Sequence, residues 1–153
     1  MTAKSARQTQ PLKMLKQASN EHETMAEYIT AALQTQALFE TPHPSKKIKG
    51  MQSFLNDRVV RHFRFEEEEV FPQLAGKDRA ATRRVIQRLK REHKTMLSQV
   101  ASLQKKLSQI TGSSGDKAWK TLQAGFGDLL RMLLVHTMIE DGLYETVRAR
   151  VRG

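Results

Sequence analysis

A chain of 153 residues is long enough for one domain with a real hydrophobic core, and the absence of cysteine excludes disulfide staples, iron–sulfur clusters and thiol catalysis. Lysine and arginine outnumber the acids by 26 to 16, a formal charge of +10 that would attract nucleic acid or an anionic membrane. The bases are nevertheless scattered, from Lys46, Lys47 and Lys49 through Arg83, Arg84, Arg88, Lys90, Arg91 and Lys94 to Arg148, Arg150 and Arg152. No helix-turn-helix, zinc-finger or aromatic-basic sheet motif accompanies them, so they read as a solvated face and not as a nucleic-acid site. No apolar run is long enough to span a membrane, and residues 1–10 are polar without a signal-peptide core; a soluble, cytoplasmic protein is expected.

Residues 1–10 are expected to be flexible, and Pro11 suits the first turn of a helix. From there Leu12, Leu15, Ala18, His22, Met25, Ile29 and Leu33 recur at spacings of three and four, which predicts an amphipathic helix to about Ala37. Thr41-Pro42-His43-Pro44-Ser45 reads as a rigid turn, with Ser45 as a cap. The second helix carries Ile48, Met51, Leu55, Val59, His62 and Glu66 inward, and Pro72 must kink or end it. Asp78 can cap a third helix with the inward row Ile86, Leu89, His93, Leu97, Val100 and Leu107. After the segment Thr111-Gly112-Ser113-Ser114-Gly115, Asp116 can cap a fourth helix, placed from about Ala118 to Val147. It carries Leu122, Phe126, Leu129, Leu133, His136, Glu140 and Leu143 inward, with Gly125 and Gly127 weakening its first half. Four long helices with short connections predict an all-α, up-down-up-down four-helix bundle over residues 11–150.

The chemistry concentrates where apolar positions are replaced by histidine and glutamate. His62 and Glu66 are four residues apart and share one helical face, and His136 and Glu140 repeat the arrangement. One such pair is equally a satisfied histidine–carboxylate contact. Single inward histidines at His22 and His93 on the other two helices shift the balance toward a metal site.

Residue counting tests whether the four can meet, because a helix rises about 1.5 Å per residue. His22 and His62 each lie 16 residues from a turn placed at 38–46. His93 and His136 lie 17 and 18 residues from a turn between 110 and 118. Across the remaining connection His62 and His93 match, at 13 and 14 residues, only if the second helix runs on past Pro72 to Ala75. That continuation is therefore expected. Four imidazoles and two carboxylates at one level suit iron, manganese or zinc, and two bridging carboxylates suit two metals.

With these residues in place, the chain resembles the hemerythrin-like (HHE cation-binding) domain from about residue 11 to 150. The likeness rests on the lone His22, on His62-x-x-x-Glu66 followed by Glu67 and Phe71-Pro72, on the lone His93, and on His136-x-x-x-Glu140. It implies a non-haem diiron centre with an oxo or hydroxo bridge. His22 and His62 would serve one iron, His93 and His136 the other, and Glu66 and Glu140 would bridge. Oxygen-carrying hemerythrins have a second histidine where this chain has Leu97, and take their last carboxylate at the position of Asp141. The set found here is similar to that of bacterial proteins implicated in repair of iron centres, without the cysteine-containing N-terminal domain common in those proteins.

The resemblance implies reaction with dioxygen, peroxide or nitric oxide in a redox or stress response. A diiron sensor or oxygen-binding protein without turnover, and an iron storage or delivery protein, are the alternatives; whether the chain is an enzyme stays open. Glu67, Glu69 and Glu23 are candidates for an outer shell or for the surface, Tyr144 for a contact with the centre or for a wet edge, and His43 for the surface. Leu97 is expected on the inward row, lining an open coordination position.

Overall fold

The computed structural model describes residues 3–34, 45–75, 80–110 and 115–152. Four helices, and no strand, are found among them: α1 (Ala3–Gln34), α2 (45–75), α3 (Ala80–Gln109) and α4 (Asp116–Arg152). Each packs against its neighbours in the cyclic order α1–α2–α3–α4–α1. Pairings such as Tyr28 with Phe54, Asn56 with Gln104, and Leu15 with Arg148 set adjacent helices antiparallel. The turn containing His43, the cap at Asp78 and the 111–114 segment lie outside the described residues.

α1 begins at Ala3, within the stretch expected to be flexible, because the ladder continues upstream of Pro11 through alanine, lysine, arginine and glutamine, all good helix formers. α2 runs to Ala75 through Pro72, as the level argument required. It does so with two π-helical stretches, Phe54–Val60 and Glu66–Val70. In the second, the Phe71 N–H bonds back five residues to the Glu66 carbonyl. A widened turn just before Pro72 is where the missing N–H and the ring's clash with the preceding turn are best absorbed. α4 is unbroken through Gly125, whose absent Cβ would stand 3.3 Å from Leu103 on α3, so this glycine permits close helix approach.

The core divides into two apolar clusters. One gathers Met25, Ile29, Leu55, Val59, Met96, Val100, Phe126, Leu129 and Leu133 with their neighbours. The other gathers Leu15, Ala18, Val70, Phe71, Leu74, Ile86, Leu89, Tyr144 and Val147. Between them along the bundle axis lies a layer of ionisable side chains: His22, His62, Glu66, His93, His136 and Glu140, all buried. Removing such groups from water costs several kcal/mol per ion. Each large apolar side chain buried on either side offsets about 1.5–3 kcal/mol of that cost.

On α3 and α4 the buried row steps differently from the sequence reading. After His93 the buried row continues through Met96, not Leu97, which is half-buried at the margin of the first cluster. After Glu140 it continues through Tyr144, not Leu143. Steps of three and four straddle the 3.6-residue turn, so either keeps a side chain near the same face, and the packing of neighbouring helices selects between them.

Candidate metal centre

The structure brings all six sequence-derived site residues together. One ligand-capable atom from each of His22, His62, Glu66 and Glu140 falls within 4.8 Å of the others, and the same holds for Glu66, His93, His136 and Glu140. The two groups share both glutamates. Glu66 Oε1 is 2.9 Å from His62 Nε2 and 3.4 Å from His93 Nε2, while its Oε2 is 3.4 Å from His22 Nε2. Glu140 Oε1 is 3.2 Å from His22 Nε2 and 3.1 Å from His136 Nε2, and its Oε2 is 3.5 Å from His93 Nε2.

Close as they are, these atoms are not aligned as hydrogen bonds. The Nε2 atoms of all four histidines, Glu66 Oε1 and both carboxylate oxygens of Glu140 are buried without a hydrogen-bond partner. An orphaned buried polar atom is costly, and seven converging on one small volume need a common partner. Four imidazole nitrogens and two carboxylates form a donor set suited to a pair of first-row transition metals. The residues fit a diiron-type centre.

In the metal-free protein the charges settle among themselves. Burial alone pushes His22 down, but contacts with Asp141, Glu140 and Glu66 outweigh it and hold the imidazole at about 11. Burial likewise lowers His62, yet the Glu66 charge and the Glu21 contact bring it to about 9. His93 also reaches about 9, through Glu140 and Glu66 acting against burial. Burial pushes Glu66 up, and His62, His22 and His93 together hold it well below the usual carboxylate range.

The opposite ring nitrogens point outward, each toward a carboxylate on a neighbouring helix. His22 Nδ1 donates to Asp141 Oδ1 at 2.7 Å, His136 Nδ1 to Glu92 Oε1 at 3.0 Å, and His62 Nδ1 to Glu21 Oε1 at 3.4 Å. His93 Nδ1 faces Glu67 Oε1 at 3.6 Å, beyond a hydrogen bond. Its ring is held instead by Phe63, stacked with centroids 4.0 Å apart, and by Phe71 at 5.6 Å. Of the outer-shell candidates named from sequence, Glu67 alone reaches a histidine; Glu23 and Glu69 are exposed. Glu21 and Glu92 escaped the sequence reading, although each is the residue immediately before a core histidine.

Tyr144 is fully buried, not at a wet edge, and its hydroxyl donates to Glu66 Oε2. Burial, and then the charges of Glu66 and Glu140, raise its phenol far above the ordinary range and keep it a donor. Glu66 therefore carries a hydrogen bond on one oxygen, whereas both oxygens of Glu140 are free of any.

Fold and site together define a four-helix bundle with a dinuclear histidine–carboxylate centre at mid-height. The family model for the hemerythrin HHE cation-binding domain matches residues 13–147, and the chain belongs to that family. No curated protein and no solved structure matches the chain. No helix among the described residues is long and apolar enough to cross a membrane.

Proposed function

We propose that the chain is a non-haem diiron protein whose reduced centre reacts with dioxygen, peroxide or nitric oxide, acting in a redox or stress response in the cytoplasm. The observation that carries this reading is the sharing of Glu66 and Glu140 between two histidine pairs, with seven buried donor atoms left unpartnered. His22 and His62 would hold one metal and His93 and His136 the other, with Glu66 and Glu140 within reach of both. Bound iron supplies reducing electrons and a coordination position for a small oxidant. The protein's own part is to fix the imidazoles, keep Glu66 in place through Tyr144, and exclude bulk water with the apolar clusters on either side. Each iron would receive two imidazoles from this set, and Leu97 stands where a further histidine one turn after His93 would have added a third to one of them. Glu21, in contact with His62, also lines an open groove of about 530 Å³ together with Lys13, Lys16, Asp57, Arg58 and Arg61.

Stopped-flow oxidation of the iron-loaded, reduced protein tests the reading. Rapid conversion to the diferric state with consumption of oxidant is the expected outcome. A long-lived oxygenated spectrum that vanishes on deoxygenation would replace it with reversible oxygen carriage.

A second reading, a diiron sensor, is favoured by one observation. Met132, Val135 and Met138 are exposed at 36%, 58% and 66% on the outer side of α4, the helix that also carries His136 and Glu140. An apolar surface on a ligand-bearing helix suits a contact that responds to the centre. Val135→Lys with Met138→Lys should leave iron content and oxidation rate intact; loss of an oxidation-dependent association in that variant would identify the sensor.

A further inference from the structure

The carboxylates outside the centre form a closed cycle around the bundle. Glu21 on α1 serves His62 on α2, Glu67 on α2 faces His93 on α3, Glu92 on α3 serves His136 on α4, and Asp141 on α4 serves His22 on α1. Each is the sequence neighbour of a core residue on its own helix: Glu21 of His22, Glu67 of Glu66, Glu92 of His93, and Asp141 of Glu140. One residue is a rotation of about 100°. When a core group points at the bundle axis, its neighbour is turned toward an adjoining helix, and here it meets that helix's histidine. Arg88 fixes Glu92 further, its Nε donating to Oε2 at 2.9 Å.

We propose that Glu21, Glu92 and Asp141 are positioning residues that hold His62, His136 and His22 as Nδ1–H tautomers, and that these three together with Glu67 favour the ferric over the ferrous centre. This rests on the diiron reading above. An ionised carboxylate only accepts hydrogen bonds, so the facing Nδ1 must carry the proton and Nε2 keeps its lone pair for metal. Two ferric ions bring more positive charge than Glu66 and Glu140 offset, and the outer carboxylates add negative charge around the centre. Negative charge placed nearby stabilises the more highly charged state. The carboxylates are 27% to 49% exposed, so solvent screens part of the effect and distance ranks the rest. Asp141 and Glu92 should matter most, Glu21 less and Glu67 least. Each iron thereby gains one short and one long contact.

The test uses the full chain and four isosteric variants, Asp141→Asn, Glu92→Gln, Glu21→Gln and Glu67→Gln, with Glu23→Gln as a control for the same charge change at an exposed site. Spectroelectrochemical titration of iron-loaded protein should show the midpoint potential raised in that order and unmoved by Glu23→Gln. Iron affinity should fall about 10–100-fold for Asp141→Asn and Glu92→Gln. Nitrogen NMR of the zinc-loaded protein should show His22, His62 and His136 metallated at Nε2 and protonated at Nδ1. Metallation at Nδ1, an unchanged potential in Asp141→Asn and Glu92→Gln, or an equal shift in Glu23→Gln would overturn the proposal. Failure to take up iron would remove the diiron reading itself, whereas the zinc measurement still decides the orientation of the ring.

Discussion

His22 Nδ1 donates to Asp141 Oδ1 at 2.7 Å, while His22 Nε2, across the same ring, lies 3.2 Å from Glu140 Oε1. Two carboxylates adjacent in sequence thus take opposite ends of one imidazole. Glu140 is fully buried, and the Asp141 side chain is 49% exposed. Glu140→Ala should therefore abolish binding of one or both irons, whereas Asp141→Ala should lower affinity and retain the stoichiometry at saturating iron. Elemental analysis of both variants after iron-replete expression checks this; the reverse pattern would make Asp141 the bridging ligand.

The metal-free protein should have an uncommon pH dependence. Histidines raised from 6.5 to about 9 and about 11 contribute stability that is fully present below pH 6.5 and lost as pH rises through those values. Glu66, held well below 4.5, contributes stability present above pH 4.5 and lost as pH falls through its folded value. Thermal melts of the metal-free chain should peak between about pH 4.5 and 6.5 and decline toward pH 9–11. Metal loading should remove the alkaline decline, because metals then occupy the sites of the lost protons, and apparent metal affinity should rise with pH over the same interval. A metal-free melting temperature that climbs from pH 7 to 9 would contradict the assignment.

Tyr144→Phe removes the donor from Glu66 Oε2 and leaves a buried carboxylate short of one hydrogen bond. The expected loss is about 1.5–3 kcal/mol in the metal-free protein, the range for a hydrogen bond to a charged group. Metal loading should recover part of it. Urea denaturation of both forms gives the two numbers, and an equal or smaller loss in the metal-free form would show that the phenol does not support the carboxylate.

His93 depends on ring packing where the other three histidines have hydrogen bonds. Phe63→Leu should cost about 0.5–1.5 kcal/mol in ring contact beyond the lost area. It should also weaken the metal position of His93 and His136 more than that of His22 and His62. Iron titration should resolve one tight and one weakened site; parallel weakening would show that the phenylalanine acts only on the bundle as a whole.

The six core residues and their common level were legible from the chain alone because both depend on local regularities. A helix places residues four apart on one face, and its fixed rise turns residue counts into height. The same counting required α2 to pass Pro72, although the π-helical turn that accommodates it left no periodic signal. Glu23 and Glu69 were indistinguishable from Glu21 and Glu92 by residue type and exposure of the pattern; all four are acids beside inward positions.

What the sequence determined by itself was therefore the helical bundle, the identity of the buried donors, and their meeting at mid-height. The tertiary structure decided Met96 over Leu97, Tyr144 at Glu66, the placement of Glu140 and Asp141 at opposite ends of the His22 ring, and the cycle of outer carboxylates. These choices turn on how each helix is rotated against the next, and differences of one residue about a 3.6-residue turn become definite only when a neighbouring helix supplies the contact.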